Sequence, residues 1–269
     1  MKPLAGLRVL ELARILAGPW IGQTLSDLGA DVIKVEAPEG DDTRKWGPPF
    51  IEHDGDRSAA YFHGCNRGKK SVTADFRTEE GQAIVLDLAS RADVLIENFK
   101  VGGLAKYGLD YDSLAAVNPG LVYCSITGFG QTGPYAARAG YDFLIQGMSG
   151  LMSITGNPGA GPLRVGIPIC DLPSGRFRAQ GILIGPLYRE GRGKGQWVHT
   201  SLLESIIQML DFQASRWTMG HEVAPQAGNN HPTSIPTGVY PTADGHINIA
   251  ASGAELYKRF CKAIGANEL

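Results

Sequence analysis

A chain of 269 residues with 43% hydrophobic and 19% charged residues has the composition of a globular protein, with room for one large domain or two small ones. Its formal net charge of -2 argues against a dedicated nucleic-acid binder and leaves only local basic pockets. No apolar run reaches the length of a membrane span, and after Lys2 and Pro3 the chain enters a strand pattern with no signal peptide before it.

The N-terminal half alternates between two periodicities. Leu7 to Ala13 reads as a strand, Trp20 to Leu28 as a helix with Pro19 at its first position, and Asp31 to Glu36 as a second strand. Strand, helix and strand within about thirty residues make a βαβ unit, so the two strands should be parallel with a right-handed crossover. Pro38 to Arg57 is polar, rich in Gly, Asp and Pro, and is expected to be a long loop, of a length that is usually functional or mobile. The basic stretch Asn66 to Ser71 leads into a strand, Ser71 to Phe76. Thr78 is placed to cap a helix through Ala92, with Glu79 and Glu80 in its first turn. A strand at Asp93 to Asn98, a short helix at Tyr111 to Val117 and a strand at Leu121 to Ile126 follow. The fold expected is α/β, a Rossmann-like doubly wound large domain.

Gly128-Phe129-Gly130-Gln131-Thr132-Gly133 matches G-x-G-x-x-G, but Pro134 follows where a helix should run, so a dinucleotide site is rejected. A turn that brings backbone close to a ligand or partner, or a plain tight turn, is left. Asp142 to Leu151 has helical character. Val165 to Cys170 is an apolar, strand-like run that ends at Asp171, and a helix begins after it, with Pro186 expected to kink it or end it early. Asp171 therefore has two readings, a helix N-cap or a carboxylate held at a helix start for chemistry. Trp197 to Thr200 reads as a strand and Leu202 to Met219 as one long helix. Beyond His221, prolines crowd a linker-like stretch before a strand at His246 to Ala250 and a helix at Glu255 to Ile264. One strand and one helix cannot bury a core of their own, so this end is expected to be cut off. The expected domains are 1–200 (large, α/β), 201–224 (linker helix) and 225–269 (start of a small α+β domain).

Cys65, Cys124, Cys170 and Cys261 form no CxxC pair, and the six His show no metal-binding spacing, which points to reduced thiols in a cytoplasmic protein without a metal site. Cys170, beside Asp171, could be a thiolate nucleophile but has no evident base nearby.

Several stretches, in order, resemble the class III CoA transferases, the CaiB/BaiF group that includes formyl-CoA transferase. They are Leu4 to Leu12 with Ala17-Gly18-Pro19, Leu28 to Glu36, Gly40 to Arg44, Asn66 to Ser71, Glu97-Asn98-Phe99, Ser125 to Pro134, Gly193 to Gln196 and Pro236 to Tyr240. The resemblance implies that Asp171 is a nucleophile that forms a mixed anhydride and then an aspartyl-CoA thioester. It implies coenzyme A and acyl-CoA as substrates, a carboxylic acid as acceptor, no permanently bound cofactor, and an interlocked homodimer without nucleic-acid or membrane partners. Ile15, Asn98, Lys106, Phe76 and Arg44 would contact CoA, Lys106 standing where relatives often have Arg. Tyr141, Trp46 and Leu16 would line the substrate pocket. Leu16 replaces a Gln of the formyl-type members, and Tyr141 replaces the His of the related α-methylacyl-CoA racemases, which favours transfer over racemisation because a Tyr hydroxyl is a poor base near neutral pH. The rival readings are a 2-methylacyl-CoA racemase or epimerase, and a catalytically inactive CoA-binding fragment. Family members are also longer than this chain.

Overall fold

The computed structural model describes residues 2–266 and 268. Its chain contacts fall into two compact units, Met1–Ile145 with Ile167–Met209, and Gln146–Gly166 with Leu210–Leu269.

The first unit is built on a six-stranded parallel sheet. Its strands are β1 (Arg8–Glu11), β2 (Asp31–Glu36), β5 (Lys70–Thr73), β6 (Val94–Glu97), β7 (Val122–Thr127) and β8 (Trp197–Ser201), in the order β5-β2-β1-β6-β7-β8. Leu10 lies beside Ile33 on one side and Leu95 on the other, so buried apolar residues run across the central strands. Helices cover both faces, as parallel strands buried on both sides require. On one face Leu10, Leu12, Leu95 and Tyr123 pack with Val85 and Ala89 of α3 (Glu79–Arg91) and Leu114 of α4 (Tyr111–Val117). On the other, α1 (Ala17–Asp27) lies against α7 (Asp171–Arg192).

Where local chemistry is strong, the elements lie as the sequence predicts. Thr78 caps α3 by accepting the Gly81 N–H at 3.1 Å, and α4 has the bounds expected. Pro19 is the third residue of α1 and not the first, where its missing N–H is equally harmless. The expected loop at 38–57 instead contains a turn at Asp42–Lys45 and an antiparallel hairpin, β3 (Phe50–His53) with β4 (Asp56–Ala59). Asp54 and Gly55, both at positive φ, form its two-residue turn. The short helix α2 (Ala60–Gly64) follows.

Four further expectations are corrected. No strand precedes Asp171: 165–169 is irregular, because Pro168 has no amide to donate and β8 already occupies the edge beside β7. Pro186 does not end α7, which continues to Arg192 with Ile182 buried and Gly185 packed on Val122. The segment 142–151 divides into α5 (Asp142–Met148) and α6 (Leu151–Ile154) about Gly150, which is at φ 87°. The helix expected from Leu202 to Met219 is two helices, α8 (Leu202–Met209) and α9 (Phe212–Gly220), broken at Asp211, where φ is 47°.

The second unit holds α6, α9, the antiparallel pair β9 (Thr237–Pro241) and β10 (His246–Ala250), and α10 (Ala254–Ala263). Gln146–Gly166 groups with this unit, whereas the sequence reading put it in the first domain. The Pro-rich stretch is tied down and is no free linker: Gln226 Nε2 donates to Thr155 O and Gly161 O, both at 2.7 Å. No helix among the described residues is long and apolar enough to cross a membrane.

Beneath the first turn of α1 lies a buried ion network. Lys34 Nζ meets Glu11 Oε1 at 3.1 Å and Asp41 Oδ2 at 3.0 Å, and Lys69 Nζ meets Glu11 Oε2 at 2.8 Å. Gly22 exists to make room for it, since an added Cβ would overlap the Glu11 carboxylate and lie 3.2 Å from Lys69 Cε. Alanine in a helix ordinarily outperforms glycine by about 1 kcal/mol. Here Gly22→Ala is expected to destabilise by about 2–3 kcal/mol through overpacking. Gly191→Ala, with nothing near its added Cβ, should instead stabilise slightly. Urea melts of the two variants check this, and equal midpoints would contradict it.

Candidate active site

Asp171 is the first residue of α7, and its neighbour Cys170 occupies the cap position in a helical conformation with no side-chain cap bond. The N-cap reading of Asp171 therefore falls. Asp171 stands in the first turn of α7, where the helix field favours negative charge, although the Leu172 N–H there already donates to Pro168 O at 3.2 Å and Pro173 has no N–H to offer. The half-buried carboxyl is nevertheless pushed up to about 7, by burial first and then by the charge of Asp142. Asp142 is held in place by accepting the Cys170 N–H at 2.7 Å. The two carboxylates thus share one corner of the first unit, and one of them has its basicity raised.

The pairing rests on glycines. Gly128 and Gly140 approach so closely that a Cβ on either would enter the other's backbone, which brings the turn before Asp142 against the end of β7. This close contact accounts for Gly128 of the Gly128 to Gly133 motif, while Gly130 and Gly133 stand at φ 96° and 95° in a turn that no helix directly follows. Gly175, one turn into α7, faces Ala17 O and Trp20 Cβ, at 2.8 and 3.1 Å from an added Cβ. The start of α7 is therefore pressed onto the start of α1.

Tyr61, on α2, feels the Asp171 and Asp142 charges. Burial first, then Asp171, pushes its phenol up to about 12, so it stays a neutral hydrogen-bond donor. It packs edge-on to Trp46, with ring centroids 5.4 Å apart. Trp46 was an expected pocket residue, whereas Tyr61 was missed, because nothing local to it distinguishes it from any exposed tyrosine. The expected pocket residue Leu16 is buried at the cap of α1, and Tyr141, 66% exposed, directly precedes Asp142. Burial pushes the Cys170 thiol well above its usual range, and Asp142 and Asp171 add to the effect, which removes it as a thiolate nucleophile.

The residues expected to contact CoA divide into two groups. Ile15 sits in the β1–α1 turn at φ 68°. Asn98 clamps that turn: its Oδ1 accepts the Arg14 N–H at 2.9 Å and its Nδ2 donates to Arg14 O at 2.7 Å. Arg44 is committed to a two-pronged pair with Glu36, both bonds 2.7 Å, and lies over the Phe62 ring. The pair holds Glu36 down at about 2 despite burial. Both side chains thus have their polar groups engaged within the chain. Phe76 belongs to an edge-on aromatic group with Phe99 and Tyr107, with centroid distances of 5.8 and 5.2 Å. Exposed Lys106 lies over Tyr107 and Arg14 over Phe99, so two cations flank a half-buried apolar shelf.

A cavity of about 240 Å³, lined by Glu97, Lys100, Tyr111, Ser125 and Trp197 among others, contains none of the expected site residues. Glu97 is pushed up to about 7 by burial there.

CoA-transferase family III matches residues 4–269 of the chain. The chain is 52% identical to a succinate–glutarate CoA-transferase of Agrobacterium fabrum over 98% of this chain and 66% of that one. It is 39% identical to the human succinyl-CoA:glutarate CoA-transferase over 100% of this chain and 61% of that one. A crystal structure of a CaiB/BaiF family protein from Brucella suis superposes with a TM-score of 0.92 at 54% identity, covering 100% of this chain and 71% of that one. The chain thus spans 61% to 66% of the length of these curated relatives.

Proposed function

Because the chain belongs to CoA-transferase family III, we propose that it transfers CoA from an acyl-CoA to a free carboxylate, with Asp171 as the nucleophile. The observation that carries this reading is the placement of Asp171: a carboxylate of raised basicity at the start of a helix whose Gly175 packs on the start of α1, near the neutral Tyr61 phenol.

The Asp171 carboxylate attacks the thioester carbonyl; the C–S bond breaks, and CoA thiolate leaves as a mixed anhydride forms. The thiolate attacks the aspartyl carbonyl, expelling the first acid and leaving an aspartyl-CoA thioester. The acceptor carboxylate attacks that thioester to give a second anhydride and thiolate. Attack of the thiolate on the acceptor's acyl carbon then yields the new acyl-CoA and frees Asp171. The covalent route keeps the thioester's energy on the enzyme. The Tyr61 hydroxyl, which stays neutral near Asp171, is a donor for the oxyanions. The Phe76–Phe99–Tyr107 shelf, with Arg14 and Lys106, suits an adenine flanked by phosphates.

For the acid pair we take dicarboxylates, with succinyl-CoA as donor and glutarate as acceptor, after the names of the A. fabrum and human relatives. A homodimer is supported by the apolar side chains exposed on α7, Ile184 and Leu187. The test is to incubate the chain with succinyl-CoA and then hydroxylamine. The Asp171 peptide should carry the hydroxamate mass, and an unmodified peptide sinks the assignment.

The pH dependence has a definite sign. The ionised carboxylate is the reactive form, so adduct formation should rise as pH increases through about 7 and level off above it. Asp142→Asn keeps an oxygen for the Cys170 N–H but removes the repelling charge, so the inflection should move to lower pH. A single-turnover profile that does not move would contradict the coupling.

A further inference from the structure

The turn from β1 into α1 is held in a conformation that its sequence disfavours. Ile15 has φ 68°, a region that a β-branched residue occupies only under constraint. The constraint comes from Asp41, whose Oδ2 accepts the Ile15 N–H at 3.2 Å. Asp41 is itself fixed on every side. Its Oδ1 accepts the Thr43 N–H at 3.0 Å and the Thr43 hydroxyl at 2.7 Å, and its own N–H donates to Glu36 at 2.8 Å. Lys34 pairs with it at 3.0 Å and also donates to Ala13 O at 2.8 Å. The Cys65 thiol faces Ile15 O at 3.7 Å.

A buried charge network of this kind is poor evidence for stability, since apolar residues of equal volume usually serve as well or better. What distinguishes this one is its aim. Two of its polar atoms, Lys34 Nζ and Asp41 Oδ2, reach the backbone on either side of Arg14. The turn so held runs directly into Ala17, on which Gly175 of the Asp171 helix packs. Its far side is clamped by Asn98, next to Phe99 of the aromatic shelf. One strained peptide therefore sits between the shelf and the nucleophile.

Resting on the transfer reading above, we infer that Asp41 is a positioning residue. It holds the Ile15 peptide in its left-handed conformation, so that the turn seats the CoA thioester against Asp171.

The test measures CoA affinity by calorimetry, together with thermal midpoints, for the wild-type chain, Asp41→Asn, Ile15→Gly and the double variant. Asp41→Asn is expected to weaken CoA binding on the order of tenfold. Adding Ile15→Gly should restore most of that loss, because glycine takes positive φ without strain and no longer needs the carboxylate. A general structural role predicts a loss that Ile15→Gly does not repair, and that result overturns the inference. So does an unchanged affinity in Asp41→Asn when the wild type binds CoA, while the transfer reading stands. A wild-type chain that binds no CoA overturns both. Should Asp41→Asn fail to fold, Thr43→Val removes the hydroxyl that orients Asp41 while leaving the charges balanced. Weaker binding repaired by Ile15→Gly then supports the inference, and unchanged binding ends it.

Discussion

Asp171→Ala is expected to lower transfer by on the order of a thousandfold or more, because every covalent step passes through that carboxylate. Full turnover in this variant would remove the nucleophile from the mechanism. Asp171→Asn should be equally inactive and should reveal what the site costs the fold. In the wild type the folded-state pKa is raised to about 7, so the native protein keeps a proton that the unfolded chain has already released. Stability tied to this group is therefore fully present below the ordinary Asp range, near 4, and is lost as pH rises through about 7. Asp171→Asn has no such loss. It should match the wild type near pH 4 and exceed it at pH 8 by on the order of 2 kcal/mol, the trade of stability for activity expected of a strained site. Urea melts at the two pH values measure the difference. A variant less stable than the wild type at pH 8 would show that the carboxylate is not held against its own solvation.

Lys34→Met is the second large effect, and it falls on stability. Lys34 is 1% exposed and lies between Glu11 and Asp41. Burial opposes its charge, but the two carboxylates more than offset this and hold its pKa above the usual lysine range. The same contact keeps Asp41 below the ordinary carboxylate range despite burial. Methionine would fill the space of the stem and leave Asp41 without that cation, so a loss of about 3–5 kcal/mol is expected at neutral pH. Part of it should return with Asp41→Asn in the same chain, since the two residues are coupled. The wild type holds Asp41's contribution above the ordinary Asp range and loses it as pH falls. In Lys34→Met the sign reverses, and acid should relieve the buried charge. A loss under 1 kcal/mol would mean that solvent reaches the network.

The α/β alternation was legible because it is written in local properties: β-branched runs make strands, and Thr78 before Glu79 and Glu80 makes a capped helix. The hairpin within 38–57 was legible too and was overlooked, since Asp54-Gly55 is a strong two-residue turn signal. The break at Asp211 was not, because an apolar run with helical spacing carries no mark of where its backbone turns over.

The sequence by itself determined the layered fold and the family, since order and spacing of motifs survive without coordinates. Only the tertiary structure decided what those motif residues touch. Glu11 and Lys69, 58 positions apart, meet beneath one turn because β5 lies beside β2 and β2 beside β1, which brings Lys69, just before β5, to Glu11 at the end of β1. Arg44 and Asn98, which read as ligand contacts, have their polar groups occupied by Glu36 and by the Arg14 backbone. The raised basicity of Asp171 was likewise invisible in the chain, because it depends on Asp142 and on burial, and both are properties of packing.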